Sequence, residues 1–137
     1  MSIKIHLWDT SGSERYRSVS VGHYRDALGA LLTFDITNRE SFDALEYWVN
    51  EIKDQADELV IITVVPNKQD LVDMGYAVSA VSEQEIHNFA ERHKLKYRGK
   101  RISALKNTYV KEIFDELIKG KLHTDFNNLT NPCVDIY

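Results

Sequence analysis

Residues 59–70 read LVIITVVPNKQD. The first seven form a short, nearly continuous apolar run rich in branched side chains, which suits a strand buried on both faces of a parallel sheet. The chain then turns polar within two residues, so Asn67, Lys68 and Asp70 stand at the strand's carboxyl end. A second run of this kind, LGALLTF, covers residues 28–34. Residues 2–8, SIKIHLW, instead alternate, with Ile3, Ile5 and Leu7 on one face, the period-two pattern of a strand. A weaker fourth strand is expected over 95–102, where LKYRGKRI carries four basic residues.

Helical spacing fills the intervals. From Ser41 onward, Phe42, Leu45, Trp48, Val49 and Ile52 recur at three and four residues and define one buried face. Ser82 and Glu85 have the spacing of a capping box, and Ile86, Phe89 and Ala90 follow on one stripe. A last helix is expected over about 108–119, burying Val110, Ile113, Phe114 and Leu117. Strands alternating with helices predict an α/β fold with a mostly parallel sheet.

The 137 residues predict one domain, and 43% hydrophobic content is enough for a core, so the chain as a whole is not a disordered acidic tail. No run approaches the ~18 apolar residues of a membrane span. The formal charge of −4 argues against general nucleic-acid binding, which needs a basic face. The single cysteine, Cys133, cannot make an internal disulfide, which fits a reducing compartment. With no signal-peptide pattern, the chain is expected to be cytoplasmic. Residues 1–119 read as the folded unit. Residues 120–137 lose the periodicity, gather Asn, Thr and Pro, and read as a tail.

Three segments carry chemistry. After the first strand comes WDTSGSE, residues 8–14. Asp9 falls at a carboxyl end, where ligands sit in α/β sheets and where a carboxylate can hold a phosphate-bound magnesium through water. Gly12, without a side chain, lets its N–H approach a phosphate closely. A simple turn after a strand is the alternative reading. After the third strand, the Asp70 carboxylate can accept both donors on a guanine edge, which adenine does not offer. Asn67 can tie the loop together, and the Lys68 stem can lie along a base plane. The third segment, ISALKN, places Ser103 and Ala104 in a turn whose N–H could reach a base carbonyl.

Together these segments resemble the small GTPases, and within them the Rab proteins. WDTSGSE is similar to the family's WDTAGQE, NKQD to its NKxD, and SAL to its SAK or SAL. IKIHLW, RYRSVS, HYRDA, LTFDIT and ESF add Rab-type stretches, so the resemblance runs from residue 3 to about 118. It implies a P-loop-class α/β fold that binds GTP and GDP with Mg²⁺ and switches in vesicle traffic. Asp9 would hold Mg²⁺ through water and Gly12 would meet the γ-phosphate. Asn67, Lys68 and Asp70 would select guanine, assisted by Ser103, Ala104 and Leu105. Residues 10–24 would form the second switch, and Trp8, Tyr16 and Tyr24 would face effectors; ordinary half-buried aromatics are the alternative.

The pattern also departs from the family. No GxxxxGK[ST] occurs within the 137 residues, and the family's first switch has no counterpart. The resemblance therefore implies an incomplete sheet without the first strand, first helix and second strand. About four charge-assisted phosphate contacts at roughly 1.5–3 kcal/mol each would be missing, on the order of 6 kcal/mol. That corresponds to about four decades of affinity, so nucleotide binding should be weak. In the family the first strand lies between the third and fourth, so its loss should leave two unpaired edges and an uncovered apolar strip. Ser13 stands where the family has the glutamine that orients the attacking water, so hydrolysis should be slow and no catalytic base is named. Pro66 replaces a glycine before NKxD, and Arg101 replaces an acidic residue. Cys133 is followed by VDIY, which does not fit a prenylation box, so the sequence offers no lipid anchor. The second reading is a pseudo-GTPase binding module, its half-sheet completed by a partner strand.

Overall fold

A computed structural model of the chain describes residues 4–10, 12, 24, 27–125 and 133–136. Four strands, β1 (Lys4–Leu7), β2 (Gly29–Asp35), β3 (Ile61–Asn67) and β4 (Cys133–Ile136), form one sheet. Their order is β1-β4-β2-β3, and every described pairing is parallel. The helices are α1 (Arg39–Asp43), α2 (Leu45–Gln55), α3 (Gln69–Asp73), α4 (Glu83–His93) and α5 (Val110–Asp125).

The central pair β2–β3 is aligned over seven residues, from Gly29↔Ile61 to Asp35↔Asn67. Alternate residues of each strand face opposite layers. Ala30, Leu32, Phe34, Ile62 and Val64 meet Phe42, Leu45, Val49, Ile52, Ile86 and Phe89 in the main core. Phe42 links strand β2 to helix α4, its ring centroid 5.1 Å from Phe34 and 5.4 Å from Phe89. On the other face, Leu31 and Val65 pack with Ile113, and Leu117 covers Leu28, Leu31 and Ile61. Thr33 stays exposed, so β2 is buried on one face and only partly on the other.

Local chemistry sets the helix ends. Asn38 caps α1 by accepting the Ser41 N–H. One helix was expected from Ser41; it starts two residues earlier and is interrupted only at Ala44, through which the helical bonds Ala44 N–Glu40 O and Trp48 N–Ala44 O continue. The Ser82–Glu85 capping box closes in both directions. Ser82, Arg39 and the rest of that network lower the Glu85 carboxyl to about 2, with the Ser82 backbone N–H the largest contributor.

Two expectations are corrected. Residues 95–102 do not form a strand: Lys96 makes a bridge with Thr63, then Tyr97–Arg101 swing out around Gly99, at φ +66°. Contact resumes where the Ile102 N–H donates to Pro66 O at 2.8 Å. The excursion also accommodates Pro66. A strand residue's N and C=O face the same side, so the missing Pro66 N–H points where the neighbouring chain has left. Arg101 holds the bypassed loop through Ser79 Oγ, Val81 O and Glu83.

The second correction concerns residues 120–137. Helix α5 continues to Asp125, and Cys133–Ile136 returns as β4 between β1 and β2. The interval expected to stand open thus receives a strand from the chain's own C-terminal segment, where the binding-module reading had called on a partner.

Candidate functional site

Parallel pairing brings the carboxyl ends of β2 and β3 side by side, with Asp35 opposite Asn67. Lys68 follows in the left-handed region at φ 68°, turning the chain sharply into α3. Its ammonium lies 2.7 Å from Asp35 Oδ2, while Asp35 Oδ1 accepts the N–H and hydroxyl of Thr37 at 2.8 and 2.7 Å. Burial pushes the Asp35 carboxyl up, but the bonds from Lys68 and Thr37 outweigh it and leave the group below its ordinary 3.8. Asp35 is the site residue that the motif reading passed over. Its signal was the one that singled out Asp9, a carboxylate at the end of a strand.

Asn67 Oδ1 accepts two backbone N–H groups, from Lys68 at 2.7 Å and from Ala104 at 3.0 Å. It therefore ties the NKQD loop to the SAL loop. Asp70 is buried, 3% exposed, and Oδ1 accepts the Ser103 hydroxyl at 2.6 Å. Ser103, itself 2% exposed, also accepts the Lys106 N–H at 3.0 Å. The loop closes on itself through Ser103 N–Thr108 O and Thr108 N–Ser103 O. Asn67, Lys68, Asp70, Ser103 and Ala104 thus form one linked cluster, and Leu105 projects at its rim, 83% exposed. One expectation shifts: the N–H groups of Ser103 and Ala104, proposed for a base carbonyl, are engaged by Thr108 and Asn67 instead.

The other half of the candidate site follows β1. Asp9 and Gly12 are exposed, and a Cβ added at Gly12 would meet nothing within 4 Å. They border a cavity of about 400 Å³ whose walls include Leu7, Trp8, Leu32, Leu45, Trp48 and Phe114. No lysine, arginine or histidine occurs among its described lining residues. Among the described residues, no group of three or more His, Cys, Asp or Glu side chains could hold a metal. Mg²⁺ keeps several waters and is usually held by one or two carboxylates together with substrate phosphates rather than by an all-protein cage. Tyr24, expected on an effector-facing surface, is instead 3% exposed within the main core; Trp8 is 40% exposed. Ser13 and Tyr16 lie outside the described residues, as does most of the expected second switch.

The Ras family model matches residues 1–123. The chain belongs to the Ras family. It is Rab-like within it: similar proteins include Ras-related protein RGP2 of Oryza sativa subsp. japonica, 42% identical over 117 residues, covering 85% of this chain and 51% of that relative. Ras-related protein RABA4a of Arabidopsis thaliana is 36% identical over 127 residues, covering 88% and 54%. Ras-related protein YPTC6 of Chlamydomonas reinhardtii is 37% identical over 122 residues, covering 89% and 54%. The chain spans about half the length of the curated relatives it matches. Ras-family GTPases in general bind GTP or GDP with Mg²⁺ and work through regulators and effectors. No helix among the described residues is long and apolar enough to cross a membrane.

Proposed function

We propose that this Rab-like chain reads guanine nucleotides through Asp70, as part of a GTP/GDP switch in vesicle traffic. The observation that carries the reading is the preorganised Asn67–Asp70–Ser103–Ala104 cluster. Asp70 is fixed by Ser103, and Asn67 holds the two loops in register, so the carboxylate is held in a defined position beside them. An ionised carboxylate only accepts hydrogen bonds, which matches the N1–H and N2–H₂ donors of guanine and mismatches adenine. Lys68, anchored to Asp35, fixes the turn that delivers Asp70.

On the phosphate side, Asp9 and Gly12 flank an apolar cavity without a described cation, so binding by these residues is weak and base-driven. Ser13 at the glutamine position makes hydrolysis slow. The same cavity favours a second reading, a binding module that works without nucleotide, because its apolar walls suit a protein segment better than a triphosphate. Equilibrium binding separates the two. GDP should bind more tightly than ADP, and Asp70→Asn should erase the preference by presenting a donor to the guanine donors. Equal affinity for GDP and ADP, or no binding by either, would contradict the guanine reading.

A further inference from the structure

The Lys68–Asp35 pair is built unequally. Asp35 is the fixed member: its side chain is 17% exposed, Thr37 occupies Oδ1, and its backbone N–H donates to Ser41 Oγ at 3.1 Å. The next residue, Ile36, ties the end of β2 to Asn67 by donating its N–H to Asn67 O at 3.1 Å. Lys68 is the adaptable member, its side chain 53% exposed. A lysine carries its ammonium on four methylenes, and an exposed ammonium ordinarily swings toward any nearby anion. Here it is held 2.7 Å from Asp35 Oδ2, so the stem crosses from the end of β3 to the end of β2. The turn from which that stem starts carries Asp70 two residues later.

We propose that Asp35 is a positioning residue for guanine recognition, one that commits the Lys68 stem to the base and withholds the Lys68 charge from the phosphates. Without this anchor the ammonium would be drawn to the most negative part of a nucleotide, and the stem would leave with it. With the anchor, the stem is a fixed apolar rail beside the Asp70 loop, and a flat base can lie along its exposed side. The Asp35 carboxyl, lowered below 3.8, stays ionised at neutral pH, so the pair is neutral as a unit. The ligand this loop favours is therefore defined by its guanine ring. Guanosine should gain as much from Lys68 as GTP does.

The inference rests on the guanine reading, and its test keeps the two apart. NMR titration of the full 137-residue chain with guanosine, GTP, adenosine and ATP, each without Mg²⁺, gives the four affinities. The readout is the ratio of GTP to guanosine affinity. Asp35→Asn removes the charge that holds the ammonium, while an asparagine Oδ1 can still accept both Thr37 bonds and keep the turn. Guanosine affinity should fall about three- to tenfold as the stem loses its place. GTP should gain a phosphate contact, and one charge-assisted hydrogen bond corresponds to about tenfold in affinity. The ratio should thus rise at least about tenfold. In the double variant Asp35→Asn with Lys68→Met, no ammonium is left to move, and the ratio should return to within about twofold of the unaltered chain.

A residue that merely braced the turn would cost guanosine and GTP equally. A ratio unmoved by Asp35→Asn, with guanine still preferred over adenine, would overturn this inference and leave the guanine reading standing. A raised ratio that persists in the double variant would also overturn it, since the gain would not come through Lys68. If guanosine and GTP bind no better than adenosine and ATP, the guanine reading fails and the inference fails with it.

Discussion

Replacing Ser103 with alanine removes one oxygen and two hydrogen bonds from the buried side of the candidate site. The first bond runs from the Ser103 hydroxyl to Asp70 Oδ1 at 2.6 Å, between residues 2% and 3% exposed. A hydrogen bond to a charged group in such surroundings contributes about 1.5–3 kcal/mol. The second, from the Lys106 N–H, lies in an exposed loop where water can replace it, so its loss costs about 0.5 kcal/mol or less. Ser103→Ala should therefore destabilise the chain by roughly 1.5–3.5 kcal/mol, a fall in melting midpoint of about 5–12 °C for a domain of this size. Urea unfolding measures the change, and a double-mutant cycle with Asp70→Ala assigns it. If the hydroxyl acts by solvating the carboxylate, the two substitutions should couple by about 1.5–3 kcal/mol. Additivity within about 0.5 kcal/mol would refute the reasoning, because Ser103 would then matter only as packing.

Three further expectations follow from the geometry. Gly29→Ala should destabilise by about 1–3 kcal/mol, since its Cβ would lie 2.9 Å from the buried Leu117 methyls, whereas Gly12→Ala, facing open space, should leave unfolding in urea within about 0.5 kcal/mol. The Asp35 carboxyl is lowered in the folded chain, so its contribution is complete above its unfolded value of 3.8 and is lost as pH falls through the folded one. Acid titration of stability should show this loss, and Lys68→Met should shrink it. Removing the cap of α4 with Ser82→Ala should cost about 0.5–2 kcal/mol, read as a lower urea midpoint with unchanged slope.

What the sequence disclosed depended on how much each segment decided for itself. The runs before Phe34 and Val65 announced β2 and β3 because branched apolar residues had no other place than the sheet. The motif residues Asn67, Lys68 and Asp70 were legible because their roles are set by residue type at a strand's carboxyl end. Asp35 was hidden because its role depends on Lys68, a partner 33 positions away. Residues 95–102 contain strand-like ends, but Gly99 and the Arg101 contacts turn the middle outward. The C-terminal strand was masked by neighbouring Asn, Thr and Pro residues. Alternation of Val134 and Ile136 after Pro132 was its signal, four residues being too few to stand out without the adjacent edge of β1. The burial of Tyr24 likewise follows from its neighbours in space.

The measurement closest to the central claim is a thermal melt of the full 137-residue chain with increasing GTP or ATP, each with Mg²⁺. A ligand that binds only the folded state raises the midpoint with the logarithm of its concentration. The account predicts such a rise with GTP, no rise with ATP, and loss of the GTP effect in Asp70→Asn. Equal shifts with both nucleotides, or a flat midpoint with both, would contradict the assignment of Asp70 as the residue that reads guanine.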